Sequence, residues 1–166
     1  SFRIHKRAKG NHSQLCEKNG ILTVEKEALT MTDQYKTILV ALDGSDQSEK
    51  AFDEALAIGR RNKAILYVTW IINDVELSTS AYAFSKLLQE EQTHVAKYLE
   101  QKVHTAKQNG IEEVHTIVDI GNPKKIIAQD IPKDYGIDLI VMGSTGKGAI
   151  AKVLVGSTTA YVVNQA

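Results

Sequence analysis

The sequence predicts an α/β fold, a doubly wound parallel sheet with helices on both faces, and three observations carry that prediction. Short apolar runs alternate with longer segments of helical periodicity, the pattern that strands joined by crossover helices produce. The runs are apolar at successive positions rather than at every second one, as in strands covered on both faces. Helix punctuation falls between them: Ser45 before one helical segment, Gly110 after the next, and Asn122-Pro123 before a third.

The first strand is TILVALD, residues 37–43. Ser45 then caps a helix over about residues 46–61, whose Ala51, Phe52, Ala55, Leu56 and Ile58 lie on one broad face. AILYVTW, residues 64–70, is the second strand. Beyond a polar linker, residues 83–109 place Phe84, Leu87, Leu88, Val95, Tyr98, Leu99 and Ala106 at helical spacing, with Gly110 as the terminator. EVHTIVD, residues 113–119, is the third strand. In the following GNPKKII, Asn122 is the cap and Pro123 takes the first helical position, where its missing amide costs nothing; this helix is expected to stop near Pro132. IDLIVMG, residues 137–143, is the fourth strand, and after Gly156 the hydroxyl of Ser157 can cap a last short helix, TTAYVVNQA. The expected order across the sheet is 3-2-1-4.

With 166 residues and 43% hydrophobic content, the chain suffices for one well-buried core. Residues 1–34 read as a basic N-terminal extension or leader and residues 35–166 as the globular domain. Twenty basic and twenty acidic groups balance, which gives no electrostatic reason to expect nucleic acid or an anionic membrane as partner. The balance hides an asymmetry: residues 1–30 hold six basic groups against three acidic. The single cysteine, Cys16, lies in the leader, so no intrachain disulfide can form, and a reducing, cytoplasmic setting is expected. The longest apolar run, residues 64–72, is about half the length of a membrane-spanning helix.

The densest chemical signal is GSTGKGAIAKVLVGST, residues 143–158. Glycine lets backbone amides approach a ligand closely, and amides with hydroxyls suit an anion, so phosphate is the first expectation. Within it, Gly143, Gly146, Gly156 and Ser157 fit the spacing Gly-x2-Gly-x9-Gly-Ser/Thr directly after the fourth strand. On this motif, with ILVALDGS as the opening strand and GNP after the third, the chain from about Tyr35 to Ala166 resembles the universal stress protein family, in its ATP-binding subgroup. The resemblance implies a stress-response or signalling protein that holds ATP, with Mg²⁺, as ligand or switch. It implies nucleotide contacts at Ala41, Asp43, Val68, Gly143, Gly146, Gly156, Ser157 and Thr158.

Residue chemistry supports part of that set independently. In a doubly wound sheet the ligand lies beyond the carboxyl ends of the strands where the order reverses, which sets Asp43 beside Gly143. A carboxylate there can accept from ribose hydroxyls, and amides at the start of a helix opened by Gly156 and Ser157 favour phosphate. Val68 rests on the resemblance alone. Lys147 and Lys152 can neutralise phosphate or stand as solvated surface charges.

Other readings fare less well. GKGAIA, residues 146–151, has the letters of a dinucleotide fingerprint but not its place at the first strand–helix turn, and GSTGKG lacks the gap of a phosphate loop. DGSDQS loosely resembles the loop of ATP pyrophosphatases, keeping Asp46 and Ser48, and an ATP-cleaving enzyme stays as an alternative. His94, His104 and His115 lack metal-ligand spacing or a nucleophile partner, so no catalytic or metal-binding residues are expected and any hydrolysis should be slow. A member that binds no nucleotide and acts only as a dimerising interaction module is the other alternative.

The family usually closes its sheet with a fifth strand that pairs across a two-fold axis, so the resemblance implies a homodimer. No fifth strand is readable after the last helix, which leaves the fourth strand as an expected open edge. ILTV, residues 21–24 of the leader, is the candidate to cover it.

Overall fold

A computed structural model describes residues 13–18, 20–26, 35–73 and 81–144. In chain order these form β1 (Ser13–Lys18), β2 (Ile21–Lys26), β3 (Thr37–Ala41), α1 (Asp46–Asn62), β4 (Ile65–Ile72), α2 (Ala81–Gln108), β5 (Val114–Ile120), α3 (Pro123–Lys125), a π-helical turn (Ile126–Asp130), α4 (Ile131–Tyr135) and β6 (Leu139–Gly143). The fold is α/β, with β3, β4, β5 and β6 mutually parallel.

The sheet has six strands in the order β1-β2-β6-β3-β4-β5: the four strands read from the sequence keep their expected order relative to one another, and β2 and β1 extend the sheet beyond β6, so the full order differs from the four-strand one expected. β2 pairs antiparallel with β6, from Ile21 opposite Gly143 to Glu25 opposite Leu139. β1 pairs antiparallel with β2. The expectation that the sheet lacks a fifth strand is overturned: the position beside the fourth crossover strand is filled by the leader. The physical reason lies in β6, all five of whose residues are buried, so that an open edge would strand its amides and carbonyls in apolar surroundings. The ILTV segment satisfies them. Lys18 lies opposite Ile21, and Gly20, just before Ile21, takes φ +78°, the left-handed conformation that a tight turn there requires.

The sheet separates two cores. On one face Ile38, Val40, Leu66, Val68 and Trp70 pack under Phe52, Ala55 and Leu56 of α1 and Val95, Leu99 and Ala106 of α2. On the other, Leu22, Leu39, Ala41, Ile140 and Met142 pack under Ile126, Ile127 and Ile131. Burial on both faces explains why the central strands are continuously apolar.

Local sequence sets the helix ends. Ser45 caps α1, its hydroxyl accepting from the Ser48 amide at 3.2 Å. Asn122 caps α3 by accepting from the Lys124 amide at 3.0 Å, with Pro123 just inside. This helix runs on through Pro132 to Tyr135, beyond the predicted stop. The π turn makes that possible: the Ile131 amide reaches back five residues to the Ile126 carbonyl, and the widened turn leaves room for the proline ring. Gly136, at φ +63°, closes the helix with its amide on the Pro132 carbonyl. Asp138 then accepts from the Lys36 and Thr37 amides at 2.9 and 3.1 Å, fastening the entrance of β6 beside that of β3.

Candidate functional site

β3 and β6 are adjacent and parallel, with Ala41 opposite Met142, so both strands leave the sheet at the same end. Leu42 and Asp43 continue one strand; Gly143 and Ser144 end the other. The carboxylate and the glycine that the sequence singled out therefore meet at one strand tip.

Asp43 is half-buried, and its Oδ1 accepts from the Ser45 amide at 3.0 Å, a turn that Gly44 completes at φ +76°. Ser48 is buried and its hydroxyl donates to the Ser45 carbonyl at 2.8 Å. DGSDQS thus works as turn and helix cap, which occupies the Ser48 hydroxyl that a pyrophosphatase-type loop would need. At the other strand, Gly143 pairs with Ile21, and the Ser144 amide donates to the Gly20 carbonyl at 2.9 Å. The leader hairpin turn is therefore a wall of this strand tip. It also rests on α1, because a Cβ on Gly20 would come within 2.6 Å of Gln47 Oε1.

A second cluster stands on the α1–α2 side of Asp43. The Tyr98 hydroxyl donates to Glu49, and Lys102 pairs with the same carboxylate. The edge of Tyr98 meets Trp70 at 5.3 Å between ring centroids, and Lys102 lies 4.9 Å over the Phe52 ring and 5.0 Å over Tyr98. Burial above all, then the hydrogen bond to Glu49 and the charges of Glu49 and Asp43, hold the Tyr98 phenol well above its ordinary pKa. It therefore stays a neutral donor. In the sequence Tyr98 reads only as part of an apolar helix face; the one signal of a polar role is Lys102 four residues on, which puts a cation on the same face. Ser144 and Gly20 also lie beyond sequence reading, since they stand 124 residues apart and meet only because β2 pairs with β6.

Of the other residues predicted to line the site, Ala41 is the buried last residue of β3, opposite Thr69 and Met142. Val68 is wholly buried in the core beneath α1 and α2, so its side chain packs there. Gly146, Gly156, Ser157 and Thr158, like Lys147, Lys152 and the expected last helix, lie outside the described residues. Among the described residues no group of three His, Cys, Asp or Glu side chains is placed to hold a metal ion.

The model of the universal stress protein family matches residues 34–166. The chain belongs to that family. A family protein of Staphylococcus haemolyticus is 31% identical over 132 residues, covering 80% of each chain. One from Staphylococcus aureus is 32% identical over 133 residues, again covering 80% of each. The solved universal stress protein UspA from Lactobacillus plantarum superposes with a TM-score of 0.75 at 34% identity, covering 81% of this chain and 94% of its own. Another solved universal stress protein, described as a complex with cAMP, has the same fold at a TM-score of 0.60 and 22% identity, covering 80% of this chain and 91% of its own. The matched region begins at residue 34, so the hairpin that completes the sheet lies before it. No helix among the described residues is long and apolar enough to cross a membrane.

Proposed function

We propose that this universal stress protein binds an adenine nucleotide, ATP with Mg²⁺, at the tips of β3 and β6, and that the bound nucleotide acts as a switch in cytoplasmic stress signalling by a homodimer. The observation that carries the reading is the meeting of Asp43 and Gly143 at the same end of adjacent parallel strands. A carboxylate at the position of Asp43 can accept from ribose hydroxyls, and Gly143 brings backbone towards the phosphates without a Cβ in the way. Gly146, Gly156, Ser157 and Thr158 continue the anion cradle in this reading, and Ala41 and Val68 contribute through backbone and packing. That a protein of this fold is described in complex with cAMP supports an adenine ligand for the fold. Mg²⁺ would be held chiefly by phosphate oxygens and water, in keeping with the preference of this ion for keeping several waters.

Titration calorimetry with ATP and Mg²⁺ tests the reading. Binding is expected in the micromolar range; Gly146→Val should abolish it by steric exclusion. Ser157→Ala should weaken it about 10- to 150-fold, the equivalent of one hydrogen bond to charge at roughly 1.5–3 kcal/mol. No heat and no rise in melting temperature at millimolar ATP would refute nucleotide binding and leave the fold as an interaction module.

A further inference from the structure

On the side of the sheet away from the hairpin, β5 is bonded to β4 alone among the described residues. Its seven residues contain neither proline nor glycine and form no bulge against β4, so the outer row of amides and carbonyls is regular. Register with β4 puts His115, Ile117 and Asp119 on the face of Tyr67, and Val114, Thr116, Val118 and Ile120 on the face of Leu66 and Trp70. His115, Thr116, Val118 and Asp119 are exposed. Two of the most exposed large apolar side chains, Val118 at 40% and Tyr135 at 46%, border this edge. Tyr135 lies tilted against Tyr67 at 5.0 Å between centroids, and Tyr67 stacks at 5.0 Å on His115, so an aromatic row runs out to the strand.

We propose that β5 pairs antiparallel with β5 of a second copy, about a two-fold axis through Ile117. In that register His115 faces the partner's Asp119 and Val114 faces the partner's Ile120. Thr116 faces the partner's Val118, and Ile117 meets its own symmetry mate. Each pair sets an imidazole against a carboxylate or β-branched side chains against one another, combinations that stabilise antiparallel neighbours; the His115 ring also meets Glu113 Oε1 of its own chain at 2.7 Å, so in this register it stands between two carboxylates. Moving the axis by one residue destroys the match. Centred on Thr116, it opposes Glu113 to the partner's Asp119, two carboxylates; centred on Val118, it opposes Ile117 to the partner's Asp119. The edge is therefore complementary to itself in one register, as an isologous contact requires. Pairing would cover Val118 and run one sheet through both copies, and it leaves the tips of β3 and β6 uncovered. The inference names the surface for the homodimer proposed above and is independent of nucleotide.

Sedimentation equilibrium of the full chain across the micromolar range tests it, with His115→Glu, Asp119→Lys and the double variant. Each single variant removes the imidazole–carboxylate pair twice per dimer, His115→Glu by opposing two carboxylates and Asp119→Lys by opposing a lysine to the imidazole, and should weaken association about tenfold. The double variant restores opposite charges and should return the dissociation constant to near its starting value. Both sites are exposed, so circular dichroism and ATP titration should be unchanged. A dimer insensitive to the single variants, or a double variant that fails to rescue, would overturn the β5 edge and leave dimerisation standing. A monomer at every concentration would overturn both.

Discussion

The two margins of the sheet end in opposite ways. At one, β6 is buried at all five positions and its edge is sealed by β2, whose Leu22 is 3% exposed and joins the core with Leu39, Ile140 and Met142. At the other, β5 shows side chains half-buried at every third position and exposed between, and its outer edge is bonded to nothing among the described residues. The contrast teaches that strand number follows burial. A strand wrapped in apolar side chains on both faces needs a partner on each edge, because no water reaches its peptide groups; a half-solvated one can end the sheet. It also makes the hairpin a working part of the domain, although the family match begins only at residue 34.

The sharpest way to attack that contrast is Leu22→Ala. Truncating a buried leucine costs about 2–5 kcal/mol, so urea or thermal denaturation should show a loss of that size from a residue of the leader. A change below about 0.5 kcal/mol would mean that β2 lies on the sheet without contributing to its core.

The same contrast explains what could be read from the sequence. TILVALD and IDLIVMG declare themselves because a strand covered on both faces is apolar at every position, and their shared direction was enough to bring Asp43 and Gly143 together. The hairpin was only half visible. ILTV suggested a covering strand, but SQLCEK mixes polar and apolar residues without a strong strand preference, and its state is decided by pairing with β2. Asn19-Gly20, the best short signal of a hairpin, stands there in the sequence between them. Pro132 misled for a different reason: a proline rule assumes an ordinary helix, and the π turn before it changes which carbonyls need donors. Tyr98, Glu49 and Lys102 escaped because a residue on an apolar helix face gives no sign of the carboxylate that another helix will present to it.

That network bears on the β5 margin, which has no covering strand among the described residues and is held from above by α2. Val95, Leu99 and Ala106 anchor α2 to the sheet, and Tyr98 and Lys102 fasten it to Glu49 of α1. Tyr98→Phe removes one hydrogen bond and should cost about 1 kcal/mol at neutral pH. The alkaline limb sharpens the comparison. The phenol's folded pKa lies above its ordinary value of 10.0, so its contribution is complete below about that pH and is lost as pH rises above it, where the unfolded chain releases the proton and the folded one retains it. Melting temperatures from neutral pH to pH 11 should therefore fall more steeply for the native chain than for Tyr98→Phe; parallel curves would show that the phenol is not held neutral by the fold.

The smallest effect on folding is expected at Val118, and its smallness is what makes the position informative. In the isolated chain Val118→Ala removes atoms that already face water for 40% of the residue's surface, so at concentrations low enough to keep the protein monomeric its unfolding free energy should move by no more than about 0.5 kcal/mol. At the proposed two-fold contact the same atoms are buried twice, once from each copy, and about 25 cal/mol is at stake for each Å² of apolar surface covered. Association should accordingly weaken severalfold while folding does not. Leu22→Ala predicts the opposite division, a large loss of folding stability carried by a strand that already has its partners. A Val118→Ala variant that melts early yet associates normally would assign β5 to the core of its own chain, and the two margins would then differ in exposure without differing in role.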